Sequence, residues 1–431
     1  ASGKSEALAA VHLRTINRLA RQANIERDLG VDGEVKAEDV QRLEHYLQEI
    51  QETLTPMGMH TFGQSPDSVM AMKTAEAIVG RMQEIPKDSL AVLLMDVYQR
   101  IMISGPRELD ALMTALNGKY IEAGSGNDPI RNPSALPTGK NFYSFDPDRI
   151  PTIDTYREGE KLANQLIADY RGRHDGQYPD KVGFNLWSVE TIRHEGIMES
   201  QILSLLGIKP TYDGFGRLKG VEAIADTALR RPRIDVVITP SGLYRDLFPN
   251  LMLLLDKAVS LAYKQEGANY LREHIDQSVD KLLSAGLKDT TLARQLASVR
   301  LFSTESGSYG NGLNDVVQAS DKWKKDQEVG AVYFNRMGHL YGQGLWGNMP
   351  DGELPKTAKD LAVSLFKSAL SGTKAVVHSR STNVYGALDN DDFFQALGGM
   401  AMAVRHVDGA SPDVMITNLA DPGNTRQESL D

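Results

Sequence analysis

The sequence predicts an α/β protein, a helical amino-terminal part followed by parallel-sheet α/β domains with several long helices. Three observations predict it. Up to about residue 117 the apolar residues recur at helical period. From about residue 153, short β-branched or apolar runs such as Lys181–Trp187 and Ile234–Thr239 alternate with helical segments, which implies a parallel sheet covered on both faces. Between these regions, Gly124 to Pro151 is a Gly/Pro/Asn-rich passage without sustained period, a linker or an ordered binding loop.

Taken in order, residues 4–29 and 37–54 read as helices on either side of a Gly30–Gly33 break. Segments 66–85, 88–103 and 106–117 read the same way, separated by Pro86 and by Gly105-Pro106. A helix at 154–173 precedes the strand Lys181–Trp187, and a helix runs from Glu190 to Leu206. Leu218–Ala223 is a candidate second strand. Ile234–Thr239 is a buried strand leading to a long helix near Tyr244–Lys264. Helices follow at 269–285, 289–299, 312–320 and 327–338, then glycine-rich turns at 306–312 and 342–352 and a helix at 357–370. A short strand at Lys374–Val377 delivers His378, and Phe393 to Arg405 is an amphipathic helix with Phe394, Leu397, Ala401 and Val404 at helical spacing. Val414–Thr417 is a further candidate strand. The expected division is 1–120 helical, 121–290 α/β with the entry loop, and 291–431 mixed α/β carrying a second cluster of site residues.

Composition bounds the function. At 431 residues the chain has room for roughly two to four domains. With 41% hydrophobic and 24% charged residues it is a globular chain able to bury a core. A formal net charge of −10 disfavours a nucleic-acid footprint. The absence of cysteine removes disulfides, thiolate metal sites and thiol nucleophiles without fixing the compartment. No apolar run reaches the roughly 20 residues of a membrane-spanning helix, and a cytoplasmic location is expected. The chain begins at Ala1 without a methionine, and any targeting peptide would be invisible in it.

Four places carry candidate chemistry. On a continuous helix, Glu190 and His194 share a face at spacing four, as do Glu195 and Glu199, with Arg193 between them. Carboxylates and an imidazole can take protons near neutral pH and replace water on a metal ion, and the alternative is a solvated face with ordinary ion pairs. His378 to Asp392 packs an imidazole, a guanidinium, hydroxyls, a phenol and carboxylates into fifteen residues, among them Arg380, Tyr385, Asp389 and Asp391. Capping and turn chemistry accounts for at least one of those aspartates. Pro240-Ser-Gly-Leu-Tyr-Arg-Asp246 ends a strand in Ser241 before a helix, an anion site or a structural Arg245–Asp246 pair. Gly307-Ser-Tyr-Gly-Asn-Gly312 lets backbone approach a flat ligand with Tyr309 stacking on it, or is ordinary turn chemistry. His339 ends a helix, and a helix-end or core role is its default. The glycines of Gly342–Gly347 fit a dinucleotide pattern, but no strand is expected before them and Pro350 follows.

These residues resemble a family. The segments Leu136–Asp146, Leu186–Gly196, Arg231–Asp246, Gly307–Asn314, Asn335–His339 and His378–Arg405 occur in the order found in large subunits of tetrapyrrole metal chelatases. They look most like the ATP-dependent aerobic cobaltochelatase of cobalamin synthesis, and more distantly like the H-type large subunit of magnesium chelatase. The resemblance implies Co²⁺ as substrate metal and a corrin precursor, hydrogenobyrinic acid a,c-diamide, as the tetrapyrrole. It implies that ATP and Mg²⁺ belong to separate AAA+ and von-Willebrand-like partner subunits, in agreement with the lack of a phosphate loop in this chain. On that reading Glu190, His194, Glu195 and Glu199 are catalytic. His194, Glu195, His378, Asp389 and Asp391 collect the metal. Arg193, Ser241, Tyr244, Arg245, Tyr309, Arg380 and Tyr385 hold the ring. The alternatives are a related chelatase, loading Mg²⁺ into a porphyrin or removing a metal, and a non-catalytic tetrapyrrole-binding homologue. All of them require the 190s segment and the 378 loop to meet at one hollow.

Overall fold

The structure, a computed structural model, describes residues 13, 17, 36, 60–81, 87–126, 129–130, 132–143, 146–214, 217–319, 322–324, 326–349, 358–382, 390, 393–421 and 424–430. The chain divides into two compact units, residues 1–60 with 382–385, and residues 61–381 with 386–431. In the first, Leu13 and Asn17 are helical, and Asn17 Nδ2 donates to the Leu13 carbonyl at 2.9 Å. The rest of the helices expected over 4–29 and 37–54 lies outside the described residues.

The second unit starts with two packed helices, α1 (Ser68–Arg81) and α2 (Lys87–Leu116). The break expected at Gly105-Pro106 is absent, and α2 runs through it. Proline there has no N–H for the carbonyl four residues back, that of Met102, which would leave an orphan acceptor. Ser65 Oγ donates to that carbonyl at 2.5 Å. Gly105 lets the 64–65 segment come close enough, since a Cβ there would lie 2.6 Å from the Ser65 nitrogen. The Gly/Pro/Asn-rich passage is ordered, with short parallel strands β1 (Ala123–Ser125) and β2 (Asn141–Tyr143).

Next come α3 (Ile153–Arg173), started by a Thr152/Thr155 capping box, and the fully buried β3 (Lys181–Leu186). The helix expected from Glu190 to Leu206 is two helices, α4 (Ser188–His194) and α5 (Ile197–Leu205). Glu195 and Gly196 between them take left-handed φ of 51° and 87°, and His194 Nδ1 accepts the Ile197 N–H at 3.1 Å, serving the start of α5 as a cap. A hairpin of β4 (Ile208–Tyr212) and β5 (Leu218–Ala223) stands apart from the main sheet. The short α6 (Asp226–Leu229) leads to β6 (Asp235–Pro240), again fully buried. The long helix expected at 244–264 is divided into α7 (Gly242–Leu247) and α8 (Pro249–Tyr263), because Pro249 suits a first turn and not an interior.

The chain continues through α9 (Tyr270–Ser284), α10 (Thr290–Ala297), β7 (Leu301–Ser303), α11 (Leu313–Gln318) and α12 (Asp326–Met337). Strands β8 (His339–Gly342) and β9 (Leu345–Trp346) form a tight hairpin, so a strand does precede the Gly342–Gly347 glycines. It turns back antiparallel and opens no helix, which excludes a dinucleotide turn. The remaining elements are α13 (Ala358–Leu370), β10 (Ala375–Arg380), a π-helical turn over Phe393–Gly398, α14 (Gly399–Asp408), β11 (Asp413–Asn418) and β12 (Arg426–Ser429).

Eight strands form one sheet in the order β12-β11-β10-β3-β6-β7-β8-β9. The five central strands are parallel, and the outer pairings β11–β12, β7–β8 and β8–β9 are antiparallel. The parallel pair β3 and β6 is buried along its whole length, as expected where helices cover both faces. The sheet interleaves strands from either side of residue 290, since β3 lies between β10 and β6.

Candidate functional site

After β3 the chain proceeds toward β6, and after β10 it proceeds toward β11, so the order reverses between the neighbours β3 and β10. Such a switch point leaves a crevice at the carboxyl ends of the strands, where open α/β sheets bind ligands. The two candidate clusters leave the sheet there: Trp187 and α4 follow β3, and Ser381 follows β10. They touch directly, with Ser381 Oγ donating to Glu190 Oε1 at 2.7 Å across 191 residues of chain. Arg193 Nη1 stands 3.5 Å from the same oxygen. Glu190 is buried, Arg193 and Glu195 half-buried, and Arg380 ends β10 beside Asn418.

His378 projects from β10 among aromatic rings, its centroid 6.2 Å from that of Trp187 and 4.8 Å from that of Phe393. Burial lowers its pKa to about 4, against a hydrogen bond with the Asn185 main chain that favours the proton. The imidazole is therefore neutral at pH 7, and Nδ1 has no hydrogen-bond partner among the described residues.

One ring away, Trp187 forms a wall of a pocket of about 180 Å³. Strand ends supply Asn185, Thr239, Ser241 and Thr304; α12 supplies Tyr333 and Met337; the π-helical turn supplies Gln395 and Ala396. Thr239 Oγ1 donates to Asn185 Oδ1 at 2.7 Å, and Ser241 Oγ accepts the Tyr244 N–H to start α7. The π turn presents the Gln395 carbonyl to Asn311 Nδ2 at 2.5 Å, joining the glycine loop to the helix. No side chain of the described lining is charged. The volume is below the roughly 300–1,000 Å³ of ordinary small-molecule sites, so this pocket suits an edge or substituent of a larger ligand.

Tyr309 closes the rim. It is 55% exposed, and its hydroxyl donates to Asp246 Oδ2 at 2.7 Å. Hydrogen bonding to Arg245 holds the Asp246 carboxyl below its usual range, and the bond to Asp246 raises the Tyr309 phenol. Arg245 itself is fully buried, donating to the Thr304 and Glu305 carbonyls at 2.8 Å each and pairing with Asp246. Its guanidinium is occupied in tying the 304–309 loop to α7 and does not line the pocket. The close approach needs Gly242, where a Cβ would lie 2.7 Å from the Ser308 carbonyl.

Tyr244 and Glu199 also lie inside the protein. Glu199 is fully buried and its Oε1 accepts from Tyr244 Oη at 2.8 Å and Thr191 Oγ1 at 2.9 Å. Burial raises the pKa of both the carboxyl and the phenol, and the three side chains form a packed, hydrogen-bonded cluster beneath α4. His194 is likewise buried, with Nδ1 engaged by Ile197. Because the helix breaks at Glu195, the pair Glu195 and Glu199 does not share a helix face. Tyr385, Asp389 and Asp391 lie outside the described residues. Among the described residues no group of three or more His, Asp or Glu side chains is placed to hold a metal ion, and no helix is long and apolar enough to cross a membrane.

Sequence reasoning did not single out Asn185, Thr239, Thr304 or Gln395. A signal was present for two of them: Asn185 and Thr239 are polar residues in otherwise apolar strand runs, one or two residues before the strand ends.

A sheet of this topology, with a crevice at its switch point, defines an open α/β protein. The particular family follows from similarity. A family model described as CobN/Magnesium Chelatase matches residues 1–97 and 73–431, and the chain belongs to that family. The chain is 32% identical over 332 residues to the aerobic cobaltochelatase subunit CobN of Sinorhizobium, covering 76% of this chain and 25% of that protein. It is 31% identical over 373 residues to the H-type subunit of magnesium chelatase from Rhodobacter capsulatus, covering 86% and 28%. The catalytic subunit of cobaltochelatase from Mycobacterium tuberculosis superposes with a TM-score of 0.66 at 25% identity, covering 99% of this chain and 40% of that one. The chain thus spans about a quarter of the length of these curated relatives.

Proposed function

We propose that the chain is the substrate-binding and catalytic portion of a metal chelatase large subunit that inserts Co²⁺ into a corrin precursor of the hydrogenobyrinic acid a,c-diamide type. ATP and its Mg²⁺ belong to AAA+ and von-Willebrand-like partner subunits. The observation that carries this reading is the Ser381–Glu190 contact of 2.7 Å, which joins two chemically rich segments at the switch point of the sheet. Insertion of a divalent ion displaces inner N–H protons of the ring, one from a corrin and two from a porphyrin, as the metal–nitrogen bonds form, so the site needs proton acceptors and donors that replace water on the ion. Glu190 and Glu195 are the proposed proton acceptors. His378, neutral through burial, offers the Nδ1 lone pair to the arriving ion, with Asp389 and Asp391 proposed beside it. Ser241, Tyr309, Arg193, Arg380 and Tyr385 are proposed around the ring. Glu199, Tyr244, His194 and Arg245 hold α4 and the 304–309 loop in place.

The test is metal insertion with and without the ATPase subunits. Glu195→Ala and Glu190→Gln are expected to abolish insertion while tetrapyrrole binding, followed by fluorescence quenching, persists. Full insertion activity in both variants sinks the role assignment. A second reading, Mg²⁺ into a porphyrin, is supported by the nearly equal identity to the magnesium chelatase relative. Running both metal and tetrapyrrole pairs in the same assay decides between them.

A further inference from the structure

Beside the 180 Å³ pocket lies a second, larger cleft of about 600 Å³. The two share a wall. Tyr309, Gly310 and Asn311 face the small pocket, and Glu305 and Ser308 of the same loop face the large one. Helix α12 is shared as well, with Tyr333 and Met337 toward the first and Arg336 toward the second. Arg336 lies along the loop: its Nη1 stands 3.5 Å from Ser308 Oγ, and a Cβ on Gly312 would meet its Cγ at 3.5 Å.

The linings differ in charge. The small pocket has no charged side chain among the described residues, whereas the large cleft presents Arg336 and Lys359 against the single carboxylate of Glu305. Both cations are exposed, and neither has an ion-pair partner among the described residues. In a chain of formal net charge −10 this excess of cation is local. The same lining includes the apolar side chains Leu340, Ala362 and Val363. Two cations without an ion-pair partner among the described residues, in a cleft that also has apolar lining, suit an organic anion with carboxylates on the cations and a hydrocarbon body against the apolar side chains.

We infer that the Arg336–Lys359 cleft is the subsite for the anionic peripheral side chains of the tetrapyrrole, whose uncharged edge enters the small pocket across the Tyr309 loop. This rests on the tetrapyrrole reading above and adds to it which rim of the ligand is charged and where it lies. The small pocket cannot contain a macrocycle, and the adjoining cleft supplies both the room and the countercharge.

The experiment titrates the chain with deuteroporphyrin IX, a dicarboxylate, and with its diamide, followed by fluorescence quenching. Wild type, Arg336→Glu, Lys359→Glu and the double variant are compared, with Lys374→Glu as a charge control at the amino end of β10. Circular dichroism confirms folding, which exposed substitutions leave intact. The dicarboxylate Kd is expected to rise about tenfold for each cation reversed, while the diamide Kd stays within twofold and Lys374→Glu resembles wild type. Equal weakening of both ligands, no weakening of the dicarboxylate, or an equal effect of Lys374→Glu overturns the subsite while the parent reading stands. Wild type binding neither porphyrin overturns the parent reading and the subsite together.

Discussion

Replacing Asp235 by asparagine tests the far end of the sheet from the site. Asp235 opens β6, paired in register with Lys181 at the start of β3, and Arg300 immediately precedes β7. The carboxylate is fully buried. It accepts from Arg300 at 2.7 and 3.3 Å, from the Val236 N–H at 2.8 Å and contacts His274 Nδ1 at 2.9 Å, with Lys181 Nζ 3.9 Å away. Burial pushes its pKa up, but the Arg300 charge, the His274 bond and the Lys181 charge together outweigh it and hold the group at about 2. A depressed folded pKa means stability that is present above the unfolded value of 3.8 and lost as pH falls through 2. At 1.36 kcal/mol per pH unit the carboxylate contributes roughly 2 kcal/mol at neutral pH. Asparagine removes this and leaves Arg300 and Lys181 as buried cations without a countercharge, so the expected cost is about 3–5 kcal/mol. Urea unfolding of wild type and Asp235→Asn at pH 7 reads the difference, and repetition toward pH 2 should narrow it by roughly 2 kcal/mol. A cost below about 1 kcal/mol at pH 7, or a difference that does not narrow in acid, refutes the argument.

Two further outcomes follow from buried groups near the crevice. His378, lowered to about 4 by burial, contributes stability that is complete above pH 6.5 and lost as pH falls through 4, roughly 3 kcal/mol in all. His378→Leu should lack that loss, and parallel pH profiles of unfolding for the two proteins would show that the imidazole is not held neutral. Glu199, raised by burial, disfavours the alkaline side, because a raised folded pKa gives stability that is lost as pH rises through it. Glu199→Gln keeps an acceptor for Tyr244 and Thr191 and should gain on wild type as pH rises, whereas Glu199→Ala should cost about 2 kcal/mol or more by orphaning both hydroxyls. A glutamine variant as unstable as the alanine one contradicts the hydrogen-bonded cluster.

The architecture was legible where period and burial act locally. Strands β3, β6 and β11 were expected within a residue of their observed limits, because a strand buried on both faces is written as a short apolar run, whereas β10 was expected to end at Val377 and runs on through the polar His378 to Arg380. Errors arose where a distant residue decides the outcome. Pro106 interrupts no helix because Ser65, far back in the chain, satisfies the carbonyl it strands. The helix after β3 breaks because Glu195 and Gly196 take positive φ and His194 caps the next turn, none of which helical periodicity records. The three-residue β7 and two-residue β9 are too short to carry a period. The site was legible in part for the same reason. Sequence motifs marked both segments at the crevice, but residue type alone could not tell Ser241, at the pocket, from Tyr244, three residues on and facing inward.

What brings the site together is strand order. Glu190 and Ser381 stand 191 positions apart, and no local signal relates them. They meet because β10, late in the chain, pairs with β3, the first strand of the main sheet, in parallel register. Parallel pairing places the carboxyl ends of both strands at the same edge, and the reversal of order between them opens the crevice there. Were β10 added beyond β9 instead, every local element would survive and the contact between the two clusters would be lost. The buried Asp235 cluster stands at the opposite ends of these strands, with Lys181 and Asp235 at the first positions of β3 and β6. The groups that bind the strand starts are thus separated along the strands from the groups proposed for chemistry. Changes at Asp235 should therefore be read in stability, and changes at Glu190 in insertion with stability held nearly constant.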